Sequence, residues 1–212
     1  MKSLVIVDYG SGNLHSVQQS VIRVANELKE EWAIKTSSDP KEVLKSDYII
    51  LPGVGNFADC KQSLAEIQDM EQVLETRVQE QAVPFLGICV GMQLMSAIGH
   101  EYETTNGFGW LPGEVIKIET ELKLPHMGWN ELTIKSLGHP LFKNVDQGAF
   151  FYFVHSFHMQ LKEEKFVLAT TDYGEPIAAV VGKDNMIGTQ FHPEKSQKMG
   201  LLMLENFLNW RP

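Results

Sequence analysis

The sequence predicts an α/β protein with three layers, in which helices cover both faces of a mostly parallel central sheet. Through the first half of the 212-residue chain, short apolar runs alternate with segments of helical periodicity. This alternation is typical of a parallel sheet. From about Trp110 the apolar runs become more closely spaced, which predicts a mixed or antiparallel C-terminal part. We expect a single domain over residues 1–212.

Four strands with intervening helices are predicted for the first half of the chain. The first of them, at residues 4–7, is an apolar run without alternation, which suits a strand buried on both faces of a sheet. The four predicted strands lie at residues 4–7, 32–36, 48–51 and 85–88. Apolar residues recur at helical spacing over 17–28 and most of 57–81, and a short helix begins at Pro40 with Asp39 as its cap.

The second half is predicted to contain shorter strands and one closing helix. The strand candidates are the apolar runs at 115–118, 149–154, 166–170, 177–181 and 186–190. An apolar helix is predicted at 201–210. Because ligands of open parallel sheets bind beyond the carboxyl ends of the strands, we expect a site near residues 52–55 and Cys89.

Charge and cysteine content argue against several classes of protein. The net charge of −9 and the pI of about 5.2 disfavour nucleic acid as the main partner. Two cysteines, Cys60 and Cys89, are too few for a disulfide framework, and no Cys/His cluster has zinc spacing. The chain opens directly with a predicted strand, and no apolar run approaches membrane-spanning length. We therefore expect a cytoplasmic enzyme with neither metal nor cofactor.

The strongest chemical signal is the segment 84–93, where an apolar run ends in Gly-Ile-Cys-Val-Gly centred on Cys89. A strand, such a turn and a helix make up a nucleophile elbow, here with sulfur as the nucleophile. Glycines are expected on both sides because the turn is too tight for a Cβ. The N–H groups of the following helix favour a thiolate. The alternative is a buried structural cysteine.

A second signal follows much later in the chain, within residues 188–196. There His192-Pro193-Glu194 lies between a short apolar stretch and an apolar helix. His192 can accept the thiol proton of Cys89, and Glu194 can fix the tautomer and orientation of the imidazole. A His-Pro-Glu turn alone is more often a surface loop, but the order Cys, His, Glu favours catalysis.

With these residues the chain resembles the class I, triad-type glutamine amidotransferases. The resemblance implies a fold of that class and hydrolysis of glutamine to glutamate and ammonia through a cysteine thioester. It assigns Cys89, His192 and Glu194 as the catalytic residues.

Further roles follow from the same resemblance. The oxyanion donors are expected to be the N–H of Val90 and an N–H from Gly53-Val54-Gly55, a loop thought to rearrange before the oxyanion hole is complete. Contacts to glutamine are expected from Gln93, Glu101, Ser156 and Phe157. The loop could instead be a plain turn, and Gln93 a solvent-facing helix residue.

The match is more selective for one branch of this class, the glutaminase subunits of imidazole glycerol phosphate synthase. It covers nearly the whole chain and depends on the segments 8–14, 125–130, 152–157 and 191–196. Val90 and Phe157 stand where Leu and Tyr are commoner, and neither change removes a needed functional group.

This branch implies a heterodimer with a (β/α)8-barrel cyclase subunit. The cyclase would use the ammonia to make imidazole glycerol phosphate and aminoimidazole carboxamide ribotide in histidine biosynthesis. Asn13, Trp129 and Lys195 are then expected to face the barrel. Trp129 could instead be a core aromatic residue and Lys195 a solvated charge.

Three alternatives remain open at the level of the sequence. A paralogous amidotransferase could feed ammonia to a sugar-amidinating enzyme with nearly identical motifs. A catalytically silent scaffold is disfavoured by the intact triad. A cysteine peptidase on the same fold is disfavoured by Gln93 and the glutamine-binding segment.

Overall fold

A computed structural model describes residues 1–212 and contains fourteen strands and six α-helices. The strands are β1 (Lys2–Val7), β2 (Trp32–Ser37), β3 (Tyr48–Gly53), β4 (Phe85–Cys89), β5 (Ser96–Gly99), β6 (Thr105–Asn106), β7 (Leu111–Lys117), β8 (His126–Glu131), β9 (Thr133–Ile134), β10 (Phe150–His155), β11 (Phe157–Leu161), β12 (Val167–Asp172), β13 (Pro176–Lys183) and β14 (Met186–Thr189). The helices are α1 (Leu14–Ala25), α2 (Pro40–Lys45), α3 (Phe57–Ala65), α4 (Met70–Glu75), α5 (Val90–Gln93) and α6 (Gln197–Asn209). None of these helices combines the length and apolar character that a membrane crossing needs.

The central sheet has eight strands in the order β2-β1-β3-β4-β14-β13-β12-β9. The strands from β2 to β14 are parallel neighbours, and the pairs from β14 to β9 are antiparallel. The predicted fold class is confirmed, with the parallel half supplied by the first strands of the chain together with β14. The pairing of β4 with β14 joins segments that are far apart in sequence.

Two smaller sheets flank the central one. Strands β11, β7, β5 and β6 form one of them, in that order. In the other, β8 and β10 form an antiparallel ribbon in which His126 lies opposite His155 and Trp129 opposite Tyr152. We call this pair the β8–β10 ribbon.

Two helix predictions from the sequence can be compared with the structure, the cap of α2 and the helical pattern over 57–81. The cap of α2 is confirmed, because the side chain of Asp39 accepts a hydrogen bond from the N–H of Lys41 at 2.9 Å. The mostly helical character expected over 57–81 is confirmed, although the segment is divided into α3, α4 and a π-helical turn at Thr76–Glu80. Asp69 has φ = 66°, a left-handed conformation that a right-handed helix cannot contain.

Five strands escape the sequence analysis, namely β5, β6, β8, β9 and β11. They are short or carry polar residues, so they lack the apolar run by which buried strands are recognised. In β8 the sequence is His-Met-Gly-Trp-Asn-Glu, and only His126 is buried. Their strand conformation depends on partners that are distant in the chain, which local pattern does not reveal.

The turn after β4 is packed against β3 without space for a side chain. A Cβ at Gly91 would lie 1.8 Å from the carbonyl oxygen of Leu51, and a Cβ at Gly87 would lie 2.6 Å from that of Gly91. Close backbone approach therefore explains both glycines around Cys89. The helix that follows, α5, is only one turn long, and the chain then enters β5.

We expect Gly91→Ala to lower the free energy of unfolding by about 3 kcal/mol, because the added methyl group meets backbone that cannot move aside. Gly138→Ala is a suitable control, since nothing lies within 4 Å of a Cβ at that position. The control should change the free energy of unfolding by less than about 0.5 kcal/mol in urea denaturation. Equal effects of the two substitutions would contradict the packing argument.

Candidate active site

Cys89 ends β4 in a strained backbone conformation. Its φ of 54° and ψ of −110° are unusual for a residue with a side chain. Such a conformation costs about 1–3 kcal/mol and persists only where the surrounding structure enforces it. The residue is 5% exposed and lies at the carboxyl end of the sheet, where the elbow was expected.

His192 reaches Cys89 because β14 is the parallel neighbour of β4, with Thr189 in register with Ile88. The chain leaves β14 and places His192 beyond the sheet edge. There its N–H donates to the carbonyl oxygen of Tyr152 at 3.0 Å, and its carbonyl oxygen accepts from the Ser196 hydroxyl at 2.6 Å. These bonds fix the backbone of His192 independently of the imidazole.

Glu194 orients the imidazole of His192. Its Oε1 lies 2.9 Å from Nδ1, and both side chains are almost completely buried. Nε2, the other ring nitrogen, makes no hydrogen bond that meets ordinary geometry and is left to exchange protons at Cys89. The three residues therefore have the arrangement of a nucleophile, a base and an orienting carboxylate.

The electrostatic environment favours the imidazolium form of His192. Burial alone lowers the pKa of this imidazole, but the neighbouring Cys89 and Glu194 outweigh burial and raise the pKa to about 10. A protonated imidazole can donate a proton to a departing amine.

A cavity of ≈ 170 Å³ opens above the thiol of Cys89. This volume is below the roughly 300–1,000 Å³ of pockets for drug-sized ligands, which suits a substrate as small as an amino acid. Its lining consists of Val54, Gly55, Cys89, Val90, Gln93, Glu101, Val154, His155, Ser156, Phe157 and His192. Nearly all of the expected site residues are therefore brought together. Gly53 and Glu194 are not part of the lining: Gly53 is paired with Cys89 across β3 and β4, and Glu194 contacts His192.

The loop expected to provide an oxyanion donor is held by other contacts. The N–H of Val54 donates to the hydroxyl of Ser11 at 3.0 Å, and this hydroxyl donates to the carbonyl oxygen of Val54 at 2.6 Å. The hydroxyl of Tyr9 fixes the same loop by donating to the carbonyl oxygen of Pro52 at 2.7 Å. The Val54 amide is therefore occupied by Ser11 in this structure.

Gln93 is a buried anchor of the pocket wall. Its Nε2 donates to the carbonyl oxygen of Phe157 at 3.0 Å and to Oε1 of Gln190 at 3.1 Å. Gln190, whose Nε2 lies 3.7 Å from the Cys89 sulfur, is absent from the sequence-based site. In the sequence, the position of Gln190 two residues before His192 was the signal that could have indicated its place in the site. Both amide hydrogens of Gln93 are engaged, and only its oxygen is free for a ligand.

Glu101 has a structural contact beside its place in the cavity wall. Its Oε2 accepts a hydrogen bond from the N–H of Phe57 at the start of α3, at 2.9 Å. Burial raises the pKa of this carboxyl, and the hydrogen bond from Phe57 opposes the rise. The other carboxylate oxygen remains for a cationic group in the cavity.

The residues expected at a partner interface lie on the surface next to the triad. Trp129 is 46% exposed and contacts the edge of the Tyr152 ring, with 6.1 Å between the ring centroids. The ammonium group of Lys195 lies 5.8 Å from the same ring. Asn13 precedes α1, which packs against the turn at Pro193–Lys195.

The comparisons with known proteins agree with this geometry. The family model for glutamine amidotransferase class-I matches residues 5–210. The "Imidazole glycerol phosphate synthase subunit HisH" of Rhodopseudomonas palustris is 50% identical and aligns over 99% of this chain and all of its own length. The protein of the same name from Cereibacter sphaeroides is 47% identical, over 98% of this chain and 99% of its own.

Solved structures show the same fold at low sequence identity. A crystal structure described as a glutamine amidotransferase has a TM-score of 0.72 at 17% identity, covering 97% of each chain. A putative GMP synthase subunit from Thermoplasma acidophilum has a TM-score of 0.70 at 21% identity, covering 99% of this chain and 93% of its own. The chain belongs to the class-I glutamine amidotransferase family, in the group of the HisH subunits of imidazole glycerol phosphate synthase.

Proposed function

We propose that Cys89, His192 and Glu194 hydrolyse glutamine in this chain and that the ammonia is passed to a cyclase subunit. Family membership makes glutamine hydrolysis for histidine biosynthesis the activity of this chain, and the residue assignments are our proposal. The observation that carries them is the meeting of a strained cysteine with a buried His–Glu pair at an amino-acid-sized cavity.

The first step is attack by the Cys89 thiolate on the side-chain amide carbon of glutamine. A C–S bond forms, and the carbonyl electrons move to oxygen to give a tetrahedral oxyanion. Breakdown of this intermediate breaks the C–N bond, and His192 supplies the proton with which ammonia departs. A thioester remains, and water activated by the now neutral His192 hydrolyses it to glutamate.

Substrate binding is assigned to groups that the cavity leaves available. The free oxygen of Gln93 can accept a hydrogen bond from the substrate, and the second oxygen of Glu101 can pair with its α-ammonium group. Ser156 and Phe157 also line the cavity, and their main chain is assigned to the substrate's amino-acid head. These contacts favour a free amino acid over a peptide, whose nitrogen would carry no charge.

Oxyanion stabilisation is the incomplete part of the site. The N–H of Val90, first in α5, is assigned as one donor, and the second comes from the Gly53-Val54-Gly55 loop. A single donor of this kind contributes about 3 kcal/mol to lowering the barrier. Because the Val54 amide is bound to Ser11, we infer that the isolated chain hydrolyses glutamine slowly until the loop moves.

The proposed partner is a (β/α)8-barrel cyclase that forms a heterodimer with this chain. The relatives named as synthase subunits support it, as does the surface formed by Trp129, Lys195 and Asn13 beside the triad. Large aromatic residues commonly anchor interfaces. Identity of 45–50% to the HisH subunits favours this partner over a sugar-amidinating enzyme.

We expect Cys89→Ala to reduce glutamine-dependent turnover of the complex with the cyclase by more than about 10³-fold, because no other group can form the thioester. Turnover with added ammonium salt should stay within about 2-fold of wild type, since the cyclase reaction does not need the thiol. Both rates are measured by formation of imidazole glycerol phosphate. Loss of both activities would indicate a structural role for Cys89.

Removal of the Glu194 charge tests the orienting role of this residue. In Glu194→Gln the pKa of His192 falls, because the carboxylate no longer stabilises the imidazolium. During a titration from acid to alkaline pH, His192 therefore loses its proton at a lower pH than in the wild type. We expect kcat to fall by about 10²- to 10⁴-fold and the alkaline limb of its pH profile to move to lower pH. Glu164→Gln, at an exposed position, is the control. An unchanged pH profile would contradict the assignment.

Ser11→Ala tests the inference about the oxyanion loop. Loss of the hydroxyl removes two hydrogen bonds to Val54, so glutamate release by the isolated chain should rise about 10-fold. The stimulation by added cyclase should shrink in proportion. Ser38→Ala, at an exposed position outside the site, is the control. Unchanged or lower activity of Ser11→Ala without the cyclase would show that Ser11 does not restrain the loop.

A further inference from the structure

A chain of hydrogen bonds connects the β8–β10 ribbon to the wall of the active-site cavity. Nδ2 of Asn130 lies 3.2 Å from Nε2 of His126, and Nδ1 of His126 lies 3.0 Å from Nε2 of His155. Nδ1 of His155 lies 2.9 Å from the carbonyl oxygen of Phe157. These contacts are separate from the Cys89–His192–Glu194 triad.

Both imidazoles in this series of hydrogen bonds, those of His126 and His155, are buried and uncharged. His126 is 3% exposed and is stacked between the rings of Phe153 and Tyr173, at 4.8 Å and 4.0 Å between centroids. Burial lowers the pKa of His126 to about 4. For His155, burial is again the largest cause and lowers the pKa to about 3. At neutral pH each ring therefore has one donor and one acceptor nitrogen.

The Phe157 carbonyl group, at the end of this series of hydrogen bonds, fixes the direction of every hydrogen bond in the series. Because the Phe157 oxygen can only accept, Nδ1 of His155 must carry the hydrogen, and its Nε2 must accept. Nδ1 of His126 then donates to His155, and Nε2 of His126 accepts from the amide of Asn130. The second hydrogen of that amide goes to the carbonyl oxygen of Asp172 at 2.7 Å. All donors and acceptors along the chain are consistent with a single direction.

The series of hydrogen bonds ends at the Phe157 carbonyl oxygen, which belongs to the wall of the proposed glutamine pocket. The same Phe157 oxygen accepts the hydrogen bond from Gln93, and residues His155, Ser156 and Phe157 line the cavity. The start of the chain is Asn130, which follows the exposed Trp129 on β8. The chain of hydrogen bonds therefore spans from the solvent-exposed ribbon to the substrate wall.

We propose that Asn130, His126 and His155 form a one-way hydrogen-bond relay that positions the Phe157 carbonyl group and, with it, Gln93 for glutamine binding. The proposal deepens the function given above and rests on it. His126 is a positioning residue, since it lines no part of the cavity. The relay requires both imidazoles to be the Nδ1–H tautomer.

Two substitutions of His126 separate positioning from general stability. His126→Leu removes the donor to His155, and the KM for glutamine should rise about 10-fold while kcat changes by less than about 2-fold. In His126→Asn the introduced amide nitrogen can take the place of Nδ1 and donate to His155. Its KM should return to within about 3-fold of wild type. His139→Asn, at a half-buried histidine remote from the cavity, is the control.

Two outcomes of these kinetics would overturn the relay. One is an unchanged KM in His126→Leu, and the other is an equal rise in KM for His126→Leu and His126→Asn. The wild-type chain and each variant are measured in complex with the cyclase. Absence of glutaminase activity in that wild-type complex would instead refute the proposed function.

The tautomers are tested in the unsubstituted protein, without any activity measurement. ¹⁵N-detected NMR of the imidazole side chains in the full chain at neutral pH distinguishes protonated from unprotonated ring nitrogens. We expect Nδ1 to be protonated and Nε2 to be unprotonated in both His126 and His155. An Nε2–H tautomer at His126 would reverse a bond in the relay and overturn it, even if the substituted proteins failed to fold.

Discussion

The parallel pairing of β4 with β14 is the contact on which the whole site depends. It connects segments from opposite halves of the chain, and it sets the carboxyl ends of the two strands side by side. Cys89 ends one strand and His192 follows the other, so the register of a few backbone hydrogen bonds determines the distance between the proposed nucleophile and the proposed base. A slip by one residue would turn the side chains of β14 to the opposite face.

Strain and close packing reinforce this register. Cys89 has a backbone conformation that is unfavourable for a residue with a side chain, and it pairs with Gly53 of the neighbouring strand β3. Gly87 and Gly91 allow this close packing because backbone atoms occupy the space of their missing side chains. The thiol is thereby held at the cavity by the central sheet rather than by a mobile loop.

Most side chains of the candidate site are already positioned by hydrogen bonds, whereas the Val54 amide is bound to another residue. His192 and Glu194 are buried, hydrogen-bonded and electrostatically matched, and the substrate wall is fixed through Gln93, Gln190 and the imidazoles behind Phe157. The Val54 amide, in contrast, is bound to the Ser11 hydroxyl. Under the proposed function, this division would limit the release of ammonia by the isolated chain until the Val54 loop rearranges.

The sequence by itself determined the alternating architecture, the elbow at Cys89 and the residue types of the triad, because apolar runs, glycine spacing and chemical type are local properties. It did not reveal the break at Asp69, the polar strand β8, the anchor Gln190 or the engagement of Val54 by Ser11. Each of these depends on contacts between residues distant in the chain. Sequence therefore specified which groups could react, and only tertiary structure decided which partners each group has, because hydrogen bonds and burial arise when separate elements pack together.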